Sequence, residues 1–377
     1  MIDLAVPDLS GNERKYLNEC IDTTFVSTVG EFVRRFEKAV ADKTGAAYGT
    51  VVSSGTDGLH LALMSCGVRR DELVCIPAFT FIATANAVAH CGAEPWLIDV
   101  EEKSWTMDPK LLDRELAEKA YAKDGKLFHR KSGKRVAAVM PVYTMGMPAD
   151  MDRLREITDK YHLPLVADAA AAIGAKYKGR NIGALADATV FSFNGNKTIT
   201  CGGGGAVVGD NKKIIELARH LATTARVGQD YEHDMVGYNY RMTNLQAAVG
   251  CAQIERLEEF VARKRYISGY YKEHLKEIAG VTFFPETEWG ESACWFTGLV
   301  LDDMRDVREI CGRLAEKDIR TKPFWQPVYM QKPYVQAERS DMDVTGKIWK
   351  RILPLPASTC LTDEQLEGVV MAVKEIL

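Results

Sequence analysis

Between residues 49 and 100 the chain alternates short apolar runs with helical periods, and no other feature narrows the fold so far. Gly49–Ser53, Leu73–Ile76 and Pro95–Val100 have the length and composition of buried strands, while Thr56–Cys66 and Thr80–Cys91 between them carry helical spacing. Strands that alternate with helices predict an α/β architecture with a mainly parallel sheet. Two amphipathic helices precede this unit, at Ser10–Asp22 and Glu31–Thr44; in the second, Phe32, Phe36, Ala39 and Val40 share one face.

The alternation continues with a helix at Pro109–Lys119 and a charged hairpin turning at Ser132-Gly133. A buried strand follows at Val136–Val142, then a helix at Asp150–Tyr161 and a strand at Pro164–Ala167 that ends on Asp168. The basic cluster of the hairpin (Lys126, His129, Arg130, Lys131, Lys134, Arg135) reads as a solvated surface, without a catalytic role. From Asn244 to about Leu275 a long helical pattern, interrupted only by Gly250, predicts a helix linking two domains. The expected division is 1–250 for a large α/β domain and 251–377 for the linking helix with a smaller α+β domain. In the latter, strands are expected near Val281–Phe284, at Trp295–Leu301 and from Ile319, and helices at Val307–Asp318 and Thr362–Leu377.

Composition sets outer limits. With 377 residues, 46% hydrophobic and 27% charged, the chain is long enough for two cores. A net charge of −4 gives no electrostatic case for nucleic acid. No basic-then-apolar leader opens the chain and no apolar run is long enough to span a bilayer, so a cytoplasmic protein without a membrane partner is expected. Nine scattered cysteines without a C-x-x-C pair fit reduced thiols and no zinc site, and the seven histidines form no H-E-x-x-H pattern, so no metal is expected.

One stretch carries chemistry. FSFNGNKTITCGGGGAVV, Phe191–Val208, sets Lys197 between two apolar runs and follows it with four glycines, Gly202–Gly205. A lysine here is either a solvated charge or an amine brought into a site, and the glycines point to close backbone approach. Upstream, SSGTDG (Ser53–Gly58) lies between a strand and a helix. Thr56 there is either a plain N-cap or, with Ser54 and the backbone N–H groups, part of a phosphate cradle at a helix N-terminus. Asp168 ends a strand where ligands of open α/β sheets gather. A cradle, a buried carboxylate and an activated lysine are what pyridoxal 5'-phosphate requires: a lysine for the Schiff base, an acid to keep the pyridine nitrogen protonated, and donors for the phosphate.

SSGTDGLHLAL, PAFTFIATANAV, ADAAAAIGA, FSFNGNKTITCGGGGAVV and YNYRMTNLQAAVG occur in this order, and together they resemble the DegT/DnrJ/EryC1/StrS family of sugar aminotransferases, of the aspartate-aminotransferase-like fold type I with its seven-stranded sheet. The resemblance spans nearly the whole chain. It implies that Lys197 bonds to the cofactor and moves the proton, that Asp168 pairs with the pyridine nitrogen and that Phe81 stacks on the ring. Ser54, Gly55, Thr56, the Asp57 backbone and Ser192 would hold the phosphate. Asn239 would reach the cofactor of a partner subunit in a homodimer with shared sites, whereas Arg241 is either a second such contact or structural. Trp325, Tyr329 and Tyr334 are candidate contacts to a nucleotide-sugar, with core packing as the alternative for each.

Three positions depart from the family's pattern. Ala171 stands where a polar residue is usual, Tyr329 replaces a histidine, and the Asp57 carboxylate would repel a phosphate unless it points away. Dehydratases on the same fold replace the lysine by histidine, so Lys197 favours amino transfer over dehydration and over a non-catalytic regulatory protein. The implied reaction moves the amino group of L-glutamate to C4 of a UDP-linked 4-keto-6-deoxy-N-acetylhexosamine. C3 amination, or a GDP- or dTDP-linked sugar, is the alternative.

Overall fold

The computed structural model describes residues 1–228 and 230–377. Seven strands build the main sheet: β1 (Tyr48–Val52), β2 (Leu73–Pro77), β3 (Glu94–Ile98), β4 (Arg135–Val139), β5 (Val166–Asp168), β6 (Ala188–Ser192) and β7 (Gly205–Gly209). β1, β7, β6 and β5 form one hydrogen-bonded set and β4, β2 and β3 belong to another; bridges Val139–Leu165 and Val142–Asp168 join them. The order is therefore β1-β7-β6-β5-β4-β2-β3. Only β7 runs antiparallel to its neighbours, and this is the expected α/β class. β2 and β7 are apolar and buried along their whole length, as strands covered on both faces require.

Because β1, β2, β4, β5 and β6 run the same way, their carboxyl ends share one edge. The segments leaving those ends bear Ser54, Phe81, Thr144, Asp168 and Lys197, and the chain re-enters the sheet there through Gly203–Gly205. A side chain at Gly205 would lie 2.8 Å from Gly55 N, Phe191 O and Ser54 O, all backbone atoms that cannot swing aside. Gly205→Ala is therefore expected to cost about 3 kcal/mol or more of stability, read by denaturant unfolding; a loss below about 1 kcal/mol would contradict this packing.

The long helical pattern from Asn244 to Leu275 is two helices, Asn244–Glu255 and Leu257–Leu275, broken at Arg256. Gly250 does not interrupt the first. Its missing Cβ lets the helix pack onto Phe36 and Cys201, where an added carbon would stand 2.6 and 2.7 Å from the nearest atoms. Arg256, at φ −107° and ψ 14°, turns the chain and is pinned by Asp8 and Glu259.

A three-stranded antiparallel sheet follows, with Thr297–Leu301 between Val281–Phe283 and Ile352–Leu355. Helices Leu257–Leu275, Val307–Glu316 and Asp363–Ile376 bury its core. Ile319 begins no strand; it makes a single parallel bridge to Ile2, so the first residues of the chain pack with its last third. The basic hairpin turns at Gly133 as expected, with a second turn at Asp124-Gly125. Lys131, Lys134 and Arg135 pair with Glu338, Glu94 and Glu72, as on a solvated surface.

Candidate active site

The carboxyl edge of the sheet and residues 295–296, 322–325 and 354 enclose a cavity of about 450 Å³ lined by Ser54, Gly55, Thr56, Phe81, Thr84, Asp168, Ser192, Lys197 and Trp325, among others. Thus the sheet topology brings together residues from four of the five motifs, with Trp325 from the C-terminal part of the chain.

Asp168 is 4% exposed. Its Oδ2 accepts from Thr84 Oγ1 at 2.7 Å, and its Oδ1 accepts from the Ala170 N–H at 3.1 Å. Burial raises its pKa above the ordinary value, while the two hydrogen bonds and the Lys197 ammonium pull the other way. The site thus holds a carboxylate that lacks an adjacent cation strong enough to offset its desolvation, a place suited to a cationic ring nitrogen. Thr84, invisible as a functional residue in the sequence, sits on helix Ile82–His90 one turn from Phe81 and orients that carboxylate.

Lys197 belongs to the loop between β6 and β7. The Cys201 N–H and the Thr200 hydroxyl donate to the Phe193 carbonyl, closing the loop on itself, and the Lys197 N–H donates to the Asn194 carbonyl. Its side chain is half-buried and its Nζ stands 3.7 Å from the centroid of the Trp295 ring. Desolvation is the largest effect on the amine and lowers its pKa to about 8; Lys264 pushes the same way, and Asp168 opposes. A lysine so shifted carries a useful fraction of free amine near neutrality.

The phosphate end is built on helix Gly55–Ser65. Ser54 caps it, accepting from the Asp57 N–H at 3.1 Å, so that N–H is already engaged; Gly55 and Thr56 present the remaining first-turn donors. An added carbon at Gly55 would lie 2.8 Å from Ser192 Cβ, so the absence of a side chain sets the Ser192 hydroxyl against the helix start. Asp57 turns away: its Oδ2 accepts from Ser53 Oγ at 2.6 Å, which relieves the repulsion expected of a carboxylate beside a phosphate. Thr144 also lines this cavity, and its Oγ1 is buried without a hydrogen-bond partner among the described residues. Capped helix, unpaired carboxylate, orphaned hydroxyl and shifted lysine fit pyridoxal phosphate.

Phe81, 54% exposed, stands at the mouth with its ring 5.9 Å from that of Trp325. Ala171 lines the cavity where a polar group is usual, beside the aromatic cluster of Trp295 and Phe296. Tyr329 and Tyr334 are not brought to the cavity. Tyr334 is buried and its hydroxyl donates to Asn86 Oδ1 at 2.7 Å, and Tyr329 packs on the same apolar cluster. Asn239 is exposed and lies outside the cavity of its own chain, between Tyr238 and Tyr240, whose rings stack at 4.9 Å. The Arg241 backbone bridges to Val52 and extends the edge of β1.

Lys264 and Trp295 were not legible as site residues. Lys264 is 3% exposed and its Nζ donates to the carbonyls of Trp295 and Ala357 at 2.9 and 2.7 Å. Burial lowers its pKa to about 8. A lysine depressed from 10.5 makes the folded chain gain stability as pH rises from about 8 to 10.5, because the unfolded chain binds the extra proton there. Lys264→Met is expected to remove that part of the rise, on the order of 3 kcal/mol. Near neutrality the lost penalty and the two lost charged hydrogen bonds nearly cancel. Denaturant unfolding at neutral and alkaline pH reads the slope, and an unchanged slope would sink the assignment.

An α/β fold of this order with a lysine, a buried carboxylate and a capped-helix cradle at its carboxyl edge defines a fold type I pyridoxal phosphate-dependent aminotransferase. The model of the DegT/DnrJ/EryC1/StrS aminotransferase family matches residues 7–374, and the chain belongs to that family. EpsN of Bacillus subtilis (strain 168), named for a pyridoxal phosphate-dependent aminotransferase activity, is 36% identical over 374 residues, covering 98% of this chain and 94% of its own. GDP-perosamine synthase of Vibrio cholerae is 36% identical over 380 residues, covering 99% and 98%. The crystal structure of DesV from S. venezuelae superimposes with a TM-score of 0.85 at 28% identity, covering 97% of this chain and 94% of DesV. Among the described residues no helix is long and apolar enough to cross a membrane, and no cluster of side chains could hold a metal ion.

Proposed function

We propose that this aminotransferase moves the amino group of L-glutamate to C4 of a nucleotide-linked 4-keto-6-deoxy sugar, with a UDP-linked N-acetylhexosamine as the first candidate. A GDP-linked 4-keto-6-deoxyhexose is the second, favoured by the likeness to GDP-perosamine synthases of three organisms at 33–36% identity. The observation that carries the reading is Lys197 beside buried Asp168 in a cavity whose mouth is aromatic, with Phe81 available to the cofactor ring and Trp325 next to it available to a sugar.

When bound, pyridoxal phosphate supplies an electron sink that loosens the C–H bond beside the transferred nitrogen. In this reading Asp168 keeps the ring nitrogen protonated and Thr84 holds its carboxylate in place. Ser54, Gly55, Thr56 and Ser192 anchor the phosphate. Lys197, once free, would take the proton from the carbon on one side of the transferred nitrogen and return it to the carbon on the other side, and the aromatic walls would keep water from that transfer. Asn239 completes the site of a partner subunit. The exposed Val236 and Tyr231 near it, 81% and 88% accessible, support such a homodimer.

Protein mixed with pyridoxal phosphate is expected to be yellow and to bleach with L-glutamate. Incubation with a panel of UDP-, GDP- and dTDP-linked 4-keto and 3-keto sugars then identifies the acceptor by the mass and structure of its aminated product. Colour that survives glutamate overturns the donor, and amination at C3 overturns the position.

A further inference from the structure

Trp295 lies on the segment entering the small domain, far in sequence from Lys197, yet its ring is the surface on which the Lys197 amine rests, 3.7 Å from the centroid. The ring is fixed from two sides. Its Nε1–H donates to the carbonyl of Asn196, the residue before the lysine, at 2.6 Å. Its own carbonyl accepts from the buried Lys264 ammonium at 2.9 Å, which the Ala357 carbonyl holds at 2.7 Å. Trp295 is 3% exposed and its ring packs at 4.1 Å from Phe296 and 6.0 Å from Trp325, so it has little freedom to turn.

We infer that Trp295 is a positioning residue for the transfer: its indole face receives the Lys197 ammonium whenever that amine is not bonded to the cofactor, while Lys264 holds the backbone that carries the indole and the Asn196 carbonyl holds the ring. The inference rests on the reading of Lys197 as the reacting amine. Amino transfer needs a lysine that leaves the cofactor, carries a proton, and returns. A free side chain with four rotatable bonds would wander, whereas an electron-rich face at van der Waals distance gives the protonated form a defined seat. Indole is the best of the aromatic faces for this, and desolvation strengthens it.

The groups facing the amine are known. Asp168 is the carboxylate, Lys264 is the second cation acting on the amine and is hydrogen-bonded to the Trp295 carbonyl, and Tyr143 and Lys322 are the other titratable groups that line the cavity. Asp168 favours the ammonium; Lys264 opposes it. The ring face adds a third influence that favours the ammonium, whereas a ring that merely excluded water would disfavour it. The two roles of Trp295 therefore predict opposite signs when the ring is cut back.

The test uses the full chain freed of cofactor. Trace acetylation with acetic anhydride over the neutral and alkaline range, followed by peptide mass spectrometry, reads the titration midpoint of Lys197. Trp295→Leu is expected to lower that midpoint by up to about one pH unit and to speed labelling at neutral pH by up to about tenfold; Trp295→Phe is expected to move it the same way by less. The phenylalanine variant carries the test if leucine does not fold. A midpoint that stays or rises overturns the inference, since a wall shortened from indole admits water and lifts a desolvated amine. In parallel, borohydride reduction of wild-type protein mixed with pyridoxal phosphate locates the modified lysine. Modification elsewhere than Lys197 removes the premise, which separates that failure from a failure of the seat.

Discussion

Lys197→Ala is expected to lower turnover by at least about four orders of magnitude, because it removes both the nucleophile that bonds the cofactor and the base that moves the proton. Alanine also removes a positive charge beside Asp168, so a second variant is needed to separate charge from chemistry. Lys197→Arg keeps the charge in every accessible state, since a guanidinium does not deprotonate near neutrality. If the lysine acts as an amine, arginine rescues nothing. If its charge alone mattered, arginine would restore much of the rate. The cavity is already built without that amine: Thr200, Cys201 and Phe193 close the loop around it, so the backbone of Gly203–Gly205 and the helix cap at Ser54 should persist in both variants. Absorbance in the visible after mixing with cofactor, and its loss on gel filtration, reads the missing covalent bond independently of turnover. A colour that survives filtration in the alanine variant, or turnover within tenfold of wild type, would assign the bond to another lysine.

The elements that the sequence makes plain are those whose cause is local. Strand-and-helix alternation is written in apolar spacing, so the β1–β3 unit and its helices lie within a residue or two of expectation. Lys197 stands out because a glycine-rich turn between apolar runs needs an explanation, and Asp168 because it ends a buried strand. Other features arise only from contacts distant in sequence. Thr84 becomes an orienting residue through a carboxylate 84 positions away, and Trp295 through a loop 99 positions away. The strand Ile352–Leu355 was missed because Pro354 lowers its strand signal; it lies at the sheet edge, where a proline is tolerated. The linking helix breaks at Arg256 instead of at Gly250 since tertiary packing on Phe36 overrides the low helix propensity of glycine, while the arginine's ion pairs favour the turn. Tyr334 lies in an aromatic-rich segment late in the chain, and only its packing against the main sheet's apolar cluster and its hydrogen bond to Asn86 place it in the core.

Asp168→Asn is expected to slow amino transfer by about three orders of magnitude while leaving the cofactor-free chain as stable as the wild type or more so. Asparagine keeps the shape: its Oδ1 can accept from Thr84 Oγ1 or from the Ala170 N–H, the two partners that hold the carboxylate. What it lacks is charge. A carboxylate about 4 Å from a protonated pyridine nitrogen is worth roughly 4 kcal/mol at an effective dielectric of 20, which is about a thousandfold in rate. Without it the ring loses its proton and withdraws electrons weakly. In the cofactor-free chain the same charge is a cost, because burial raises the pKa of Asp168. The sign follows: a carboxyl whose folded pKa is raised contributes stability that is fully present below its unfolded value near 3.8 and is lost as pH rises through the folded value. The asparagine variant has no such loss, so the two stability curves should part as pH climbs above the acid range, with the variant the more stable near neutrality. Urea unfolding of cofactor-free protein at mildly acidic and neutral pH, set beside single-turnover kinetics of the loaded enzyme, reads both halves. Stability that falls together with rate would make Asp168 a structural group, and a rate within tenfold of wild type would leave the ring nitrogen without the partner assigned to it.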